Sequence, residues 1–426
     1  MLRTLFLIHF FWLIYCHVLS KALADLLNVS ENPRDWLTDQ SNYTNDSVVP
    51  PRTAAITGDT IITGHGYGVE VHSVVTRDNE GFTLKIFRIS SSPHCKNWGV
   101  KPAVLLNHGM TASADSWLIM GPRNGLPYLL ADACYDVWLT NCRGTRYSKG
   151  RKPKIAGLLS FWDFSWHEIG TEDLPVIIDH ILHTTKQSAL HFVGHSQGTT
   201  TLMVLLSMRP EYNVKIKTAQ LLAPAVFMRH SLTLIQKLLS PILKLMPDIE
   251  LVPHLSVLST FISALCKVSG FKQVCTAMYL LSGGKVSKHM DRSIVPLLLA
   301  THPNGISPRQ PKHFFQLKDS GRFQQYDFGS LKNMLRYKKR SPPIYPLQNV
   351  RPLSPIHLYY SEDDGTVSPK DVLTLTNHLC HTVVHHHITE RTFDHTDFLF
   401  ATTVNRMINT PVMNVIQQYE SNHKNG

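Results

Sequence analysis

Three features of this 426-residue chain predict an α/β fold around a mostly parallel sheet. Short β-rich apolar runs alternate with helical patterns after an opening hairpin. Residues 227–349 break that alternation with helical, apolar stretches and no clear strand. A G-x-S-x-G pentapeptide stands where one β run passes into a helix.

The chain opens with Arg3, an apolar run over 5–19 and the small-residue site Ala22-Leu23-Ala24. This reads as a secretory signal peptide over 1–24; the run is short for a span, which needs roughly 20 residues. A polar leader over 25–66 carries three N-x-S/T sequons, at Asn28, Asn42 and Asn45, where glycans are tolerated. The first part of the core follows over 67–226. Runs 69–76 and 82–89 alternate as a hairpin, and 103–107, 136–140, 190–193 and 218–223 are short buried runs. Helical patterns lie over about 124–132, 170–185 and 197–208. Stretches such as "SLTLIQKLLSPILKLM" in 227–349 carry few charges and must bury much of their surface, so the interval reads as a helical cap with a lid over the sheet's C-terminal edge. Open α/β sheets place their ligands at that edge. The second part of the core, 350–426, supplies runs 356–360 and 383–388, for eight strands in all, with helical patterns over 369–379 and 396–408.

Composition excludes little. The formal charge of +11, with 24 histidines besides, suits nucleic acid or an acidic surface. A secretory start argues against nucleic acid, no Lys/Arg run exceeds "KKR" at 338–340, and a solvated basic surface is the plainer reading. Six cysteines remain once Cys16 leaves with the signal peptide; Cys95, Cys134, Cys142 and Cys380 match no zinc spacing and leave their pairing open.

Chemistry concentrates in "LHFVGHSQGTTTLMVLLSM", where Ser196 lies between Gly194 and Gly198. The sharp turn from strand to helix excludes side chains at both glycines, strains the serine backbone and exposes its hydroxyl. The alternative is a Gly-rich turn with an ordinary hydrogen-bonded serine. A nucleophilic serine needs a base, and the base needs an orienting acid, in chain order Ser, acid, His. His395 follows the last β run and precedes the last helical pattern, as a base should. His385, His386 and His387 lie within the strand and alternate between its faces, so they cannot converge on one ion; Asp397 reads as the opening of the last helix. The acid comes from "YYSEDDGTVSP". From Asp364, an apolar Val367 follows at three positions and Pro369 opens the next helix; from Asp363 that register slips by one, and Glu362 reads as solvated. The oxyanion of acyl transfer needs two donors, assigned to the backbone N–H groups of Gln197 and of Met110 in "NHGMTASADSW".

With "LLNHGMTASADSW", "LADACYDVWLTNCRGTRYS", "FWDFSWHEIGTEDLPVIIDHIL", "HFVGHSQGTT", "LLAPAVFM", "FQQYDFG" and "DHTDFLF", the chain resembles the acid lipase family, the gastric and lysosomal type, and most of all its insect members. The resemblance implies an α/β-hydrolase fold with a cap and lid. It implies hydrolysis of triacylglycerols or cholesteryl esters at a lipid–water interface, secretion or a lysosomal destination, no metal or cofactor, and a Ser196–Asp364–His395 triad, so it selects Asp364. It also implies a cap disulfide, Cys266 to Cys275. Baring about 300 Å² of apolar lid to water costs roughly 7 kcal/mol, which a lipid surface would remove. Two departures stand out. Asp394 precedes the base where the family has Asn, and would raise the pKa of His395 if it points inward; the acid sits in "DGTVS" rather than a "DxLAD" run. The rival functions are a catalytically silent lipid-binding or storage protein on the same scaffold, and an acyltransferase using the same acyl-enzyme.

Overall fold

The computed structural model describes residues 56–96, 99–151, 161–230, 246–254, 259, 266 and 287–423. The signal-peptide reading, the sequons at Asn28, Asn42 and Asn45, and Cys275 lie outside the described residues. One mixed sheet organises the rest. In chain order its strands are β1 (Gly68–Val75), β2 (Phe82–Ser91), β3 (Ala103–Asn107), β4 (Asp136–Leu139), β5 (Gly150–Arg151), β6 (Leu190–His195), β7 (Ile216–Leu222), β8 (Ile356–Ser361) and β9 (Val383–Ile388). They lie in the order β1-β2-β4-β3-β6-β7-β8-β9, with β5 paired to β2. Pairs from β4 onward are parallel; β1–β2, β2–β4 and β2–β5 are antiparallel.

Every residue of β3, β4 and β8 is buried, as continuous apolar runs in a parallel sheet covered on both faces require. The two edges differ: β1 leaves Val71 and Val75 about half exposed, and β9 alternates. The sheet has nine strands where eight were expected. The extra one, β5, is a two-residue ladder on Phe82 and Thr83, too short and too polar to register as an apolar run.

The described helices are α1 (Gly58–Gly64), α2 (Leu126–Asp132), α3 (Leu174–Thr185), α4 (Gln197–Met208), α5 (Val295–Thr301), α6 (Arg309–Ser320), α7 (Ser330–Tyr337), α8 (Pro369–His378) and α9 (Thr410–His423), with several single turns besides. No helix among the described residues is long and apolar enough to cross a membrane. Between β7 and β8 the described residues form helices and loops and hold only isolated bridges. The last helix departs from its expected span of 396–408. A single turn, Asp397–Phe400, stops because Ala401 turns extended and bridges to Met290; a wider π turn, Asn405–Asn409, then leads into α9.

Strand order reverses beside β3: the chain next adds β4 on one side and later β6 on the other. Loops leaving β3 and β6 therefore diverge at the C-terminal edge and open a crevice between them. The opposite, N-terminal edge is tied by a disulfide, Cys95–Cys134, joining the segments that run into β3 and β4. Cys142 and Cys380 are free, and Cys266 is disulfide-bonded and buried.

Candidate active site

Ser196 lies between β6 and α4 with φ 53° and ψ −121°. An L-residue adopts that backbone at a cost of roughly 1–3 kcal/mol, and neighbours must hold it there. They do: Ser196 N–H donates to Leu222 O at the end of β7 (2.9 Å), and Thr199 N–H and Oγ1 donate back to Ser196 O. The glycines make room. A Cβ on Gly194 would stand 2.9 Å from the Gly198 carbonyl carbon, and one on Gly198 would collide with the Asn107 carbonyl oxygen. The positive end of α4 faces the serine.

β8 ends at Ser361, and of the three acids that follow only Asp364 is buried. Its Oδ1 accepts the N–H groups of Thr366 (2.7 Å) and Val367 (2.9 Å). Val367 is fully buried and Ser368 caps α8, which Pro369 opens, so the register read from Asp364 matches the packing. Glu362 and Asp363 are exposed. Glu362 meets His387 Nε2 at 3.0 Å, and Asp363 accepts the N–H of Thr392.

His395, in the loop after β9, joins the two ends. Its Nδ1 lies 2.9 Å from Asp364 Oδ2 and its Nε2 2.8 Å from Ser196 Oγ. An ionised carboxylate only accepts, so the proton sits on Nδ1 and Nε2 is left to accept from the serine hydroxyl. Burial pulls the His395 pKa down, but the charge and hydrogen bond of Asp364 outweigh it, Asp394 adds to them, and the pKa is raised. Asp394 does point inward. It is buried, and its Oδ1 accepts both Gly365 N–H and His395 N–H at 2.8 Å, clipping the acid's loop to the base's loop. Asp397 opens its helical turn and accepts from Asp394 N–H and Ser287 Oγ, away from the serine.

Gly109 comes closest from the β3 side: a Cβ there would sit 3.2 Å from Ser196 Cβ. Met110 is the next residue, and Gln197 is the first of α4, so the two backbone segments named for the oxyanion flank the serine. His108 braces this loop. Its Nε2 accepts Cys142 N–H (3.1 Å), which leaves the Nδ1 proton to bond Gly109 O (2.8 Å); burial pushes its pKa down to about 4, keeping that tautomer neutral. Burial likewise pushes His195 down to about 3, and its Nε2 bonds the carbonyl of His395 (3.0 Å).

Several of these contacts had no signal in the sequence. Gln310 of α6 donates to the Gln197 side chain (3.1 Å) from 113 residues away. Asn107 binds Gly198 O and Thr201 Oγ1 through its amide nitrogen. The position of His195 inside the pentapeptide was the one pointer to its involvement. The strand histidines do not converge: His386 meets His357 (2.9 Å), His385 meets Thr376, and His387 meets Glu362. No group of three metal-ligating side chains occurs among the described residues.

A family model for the α/β-hydrolase fold matches residues 102–249, and one for a partial α/β-hydrolase lipase region matches 59–121. The chain is 34% identical to Lipase 1 of Drosophila melanogaster over 403 residues, 91% of this chain and 83% of that one. It is 36% identical to Lipase 3 of the same fly over 363 residues, covering 83% and 91%. Against gastric triacylglycerol lipase of Homo sapiens the identity is 33% over 365 residues, covering 84% and 90%.

Proposed function

The chain belongs to the acid lipase family, and from that premise we propose a secreted serine lipase that hydrolyses carboxylic ester bonds of neutral lipids, triacylglycerol or cholesteryl ester, through an acyl-enzyme. The hydrogen-bonded path from Asp364 through His395 to Ser196 carries the reading. His395 Nε2 takes the Ser196 proton as Oγ attacks the ester carbonyl carbon. The N–H groups of Met110 and Gln197 hold the oxyanion. As the intermediate collapses, the bond to the alcohol breaks and the departing oxygen takes the proton back from Nε2. Water, deprotonated by the same nitrogen, then attacks the acyl-serine, frees the fatty acid and restores the serine. Asp364 holds the ring and balances the imidazolium charge in both halves.

Triacylglycerol comes from the relatives' names, and secretion from the apolar start over 1–24 together with the Cys95–Cys134 bond, which suits an oxidising compartment. We assign 227–349 as the cap, Cys275 as the partner of Cys266, and glycans to Asn28, Asn42 and Asn45. Ser196→Ala is expected to lower turnover on a triglyceride emulsion on the order of 10⁶-fold. Retained hydrolysis would overturn the proposal. A fluorophosphonate should label the native serine, which a silent lipid-binding protein would not allow.

A further inference from the structure

Helix α7 is built inside out. Asn333 is its fully buried residue: Nδ2 donates to Asp327 Oδ1 (2.7 Å) and Arg340 O (3.0 Å), and Oδ1 accepts Phe328 N–H (2.9 Å). The opposite face is apolar and open to solvent. Leu331 is 78% exposed, Leu335 70% and Met334 41%, at the three- and four-residue spacing of one helix face. Isolated exposed leucines need no explanation, but a contiguous face anchored by a buried amide marks an interaction surface.

Its charge says what it meets. Lys332, Arg336, Lys338, Lys339 and Arg340 are all exposed, and residues 328–341 contain no acid. Two copies of this chain docking through the face would bring like charges together, which disfavours a self-complementary contact. An anionic lipid–water surface takes both features, apolar residues into the acyl boundary and cations against the headgroups. A relay of contacts runs from the helix toward the active site. Arg309 lies over the Phe328 ring at 5.5 Å, with Arg336 on the same ring at 4.5 Å. The residue after Arg309 is Gln310, whose side chain bonds Gln197 beside the nucleophile.

We propose that α7 and the "KKR" turn after it form a docking surface for an anionic lipid interface, setting the crevice of Ser196 against it. The proposal rests on the lipase reading in its biology, since released fatty acids make such a surface anionic, but its binding test does not depend on catalysis. Full-length protein would be partitioned onto vesicles of phosphatidylcholine, with and without phosphatidylserine, and its hydrolysis of a dissolved short-chain ester followed in parallel. Native protein should bind the phosphatidylserine vesicles roughly tenfold more tightly. Lys338→Ser/Lys339→Ser/Arg340→Ser should lose that preference, and Leu331→Glu/Leu335→Glu should weaken binding to both vesicles at least about tenfold. Both variants should keep the native melting profile and the native rate on the dissolved ester. Ser196→Ala should lose hydrolysis and still partition like the native chain; a native chain that binds the vesicles but hydrolyses neither the dissolved ester nor a triglyceride emulsion sinks the lipase reading and leaves the docking surface standing. Unchanged partition of the Leu331→Glu/Leu335→Glu variant overturns the docking surface, and so does a native dimer in sedimentation that this variant dissolves.

Discussion

In the proposed mechanism Asp394 tunes the base, His395. It stands between the loops of Asp364 and His395, and its Oδ1 accepts one N–H from each. An asparagine there can keep both hydrogen bonds and lose only the charge. The base must be neutral to accept the serine proton, so activity rises with pH through the His395 pKa. Asp364 does most to raise that pKa and Asp394 adds to it. Asp394→Asn should therefore move the acidic limb of kcat/KM to lower pH while leaving the plateau nearly unchanged; an unmoved limb with an intact plateau would remove Asp394 from the tuning. Residues of this kind were only partly legible in the sequence. Ser196, Asp364 and His395 each follow a strand, in a fixed chain order, so local pattern was enough to nominate them. Gln310, Asn107 and His108 act through contacts between elements far apart in sequence, and no local period encodes those.

The elements themselves were mostly legible because burial sets their pattern. The central strands are buried on both faces and read as short, largely apolar runs, whereas β5 and the break at Ala401 depend on which segment lies alongside. The cysteines behave in the same way: composition left Cys95 and Cys134 unpaired, and only the fold brings their Cα atoms to 5.2 Å. Their separation of 39 residues gives a chain-entropy contribution of about 4 kcal/mol, an upper figure if the unfolded chain keeps structure. Both cysteines precede the N-terminal ends of parallel strands, the edge opposite Ser196. Cys95→Ser/Cys134→Ser should therefore cost about 2–4 kcal/mol in urea denaturation with little change in turnover on a dissolved ester. Equal unfolding midpoints for the two proteins would show that the bond adds nothing, and lost turnover at native stability would place it in the catalytic machinery.

At the scale of the whole molecule, buried histidines give stability a pH dependence. Burial holds His108 at a pKa of about 4 and His195 and His313 at about 3, each in a hydrogen-bonded neutral form. In the unfolded chain they titrate near 6.5, so between those values the unfolded state binds more protons. Their contribution to stability is complete above about pH 6.5 and is lost progressively as pH falls toward 4 and 3. At pH 5 each such group costs roughly 2 kcal/mol, against a total of roughly 5–15 kcal/mol for a typical domain. Glu420 acts in the same direction at lower pH: its pKa, opposed by burial, is held near 2 by hydrogen bonds to His191 and Lys217, and those interactions are lost only in strong acid. Asp115 and Asp173 act against it, because burial raises their pKa despite the arginines beside them, and His395, also raised, loses its share only above pH 6.5. The urea midpoint should fall steadily from pH 7 to pH 4.5. A midpoint that holds or rises across that range would show the buried rings outweighed by acid-stabilised carboxylates such as Asp115 and Asp173.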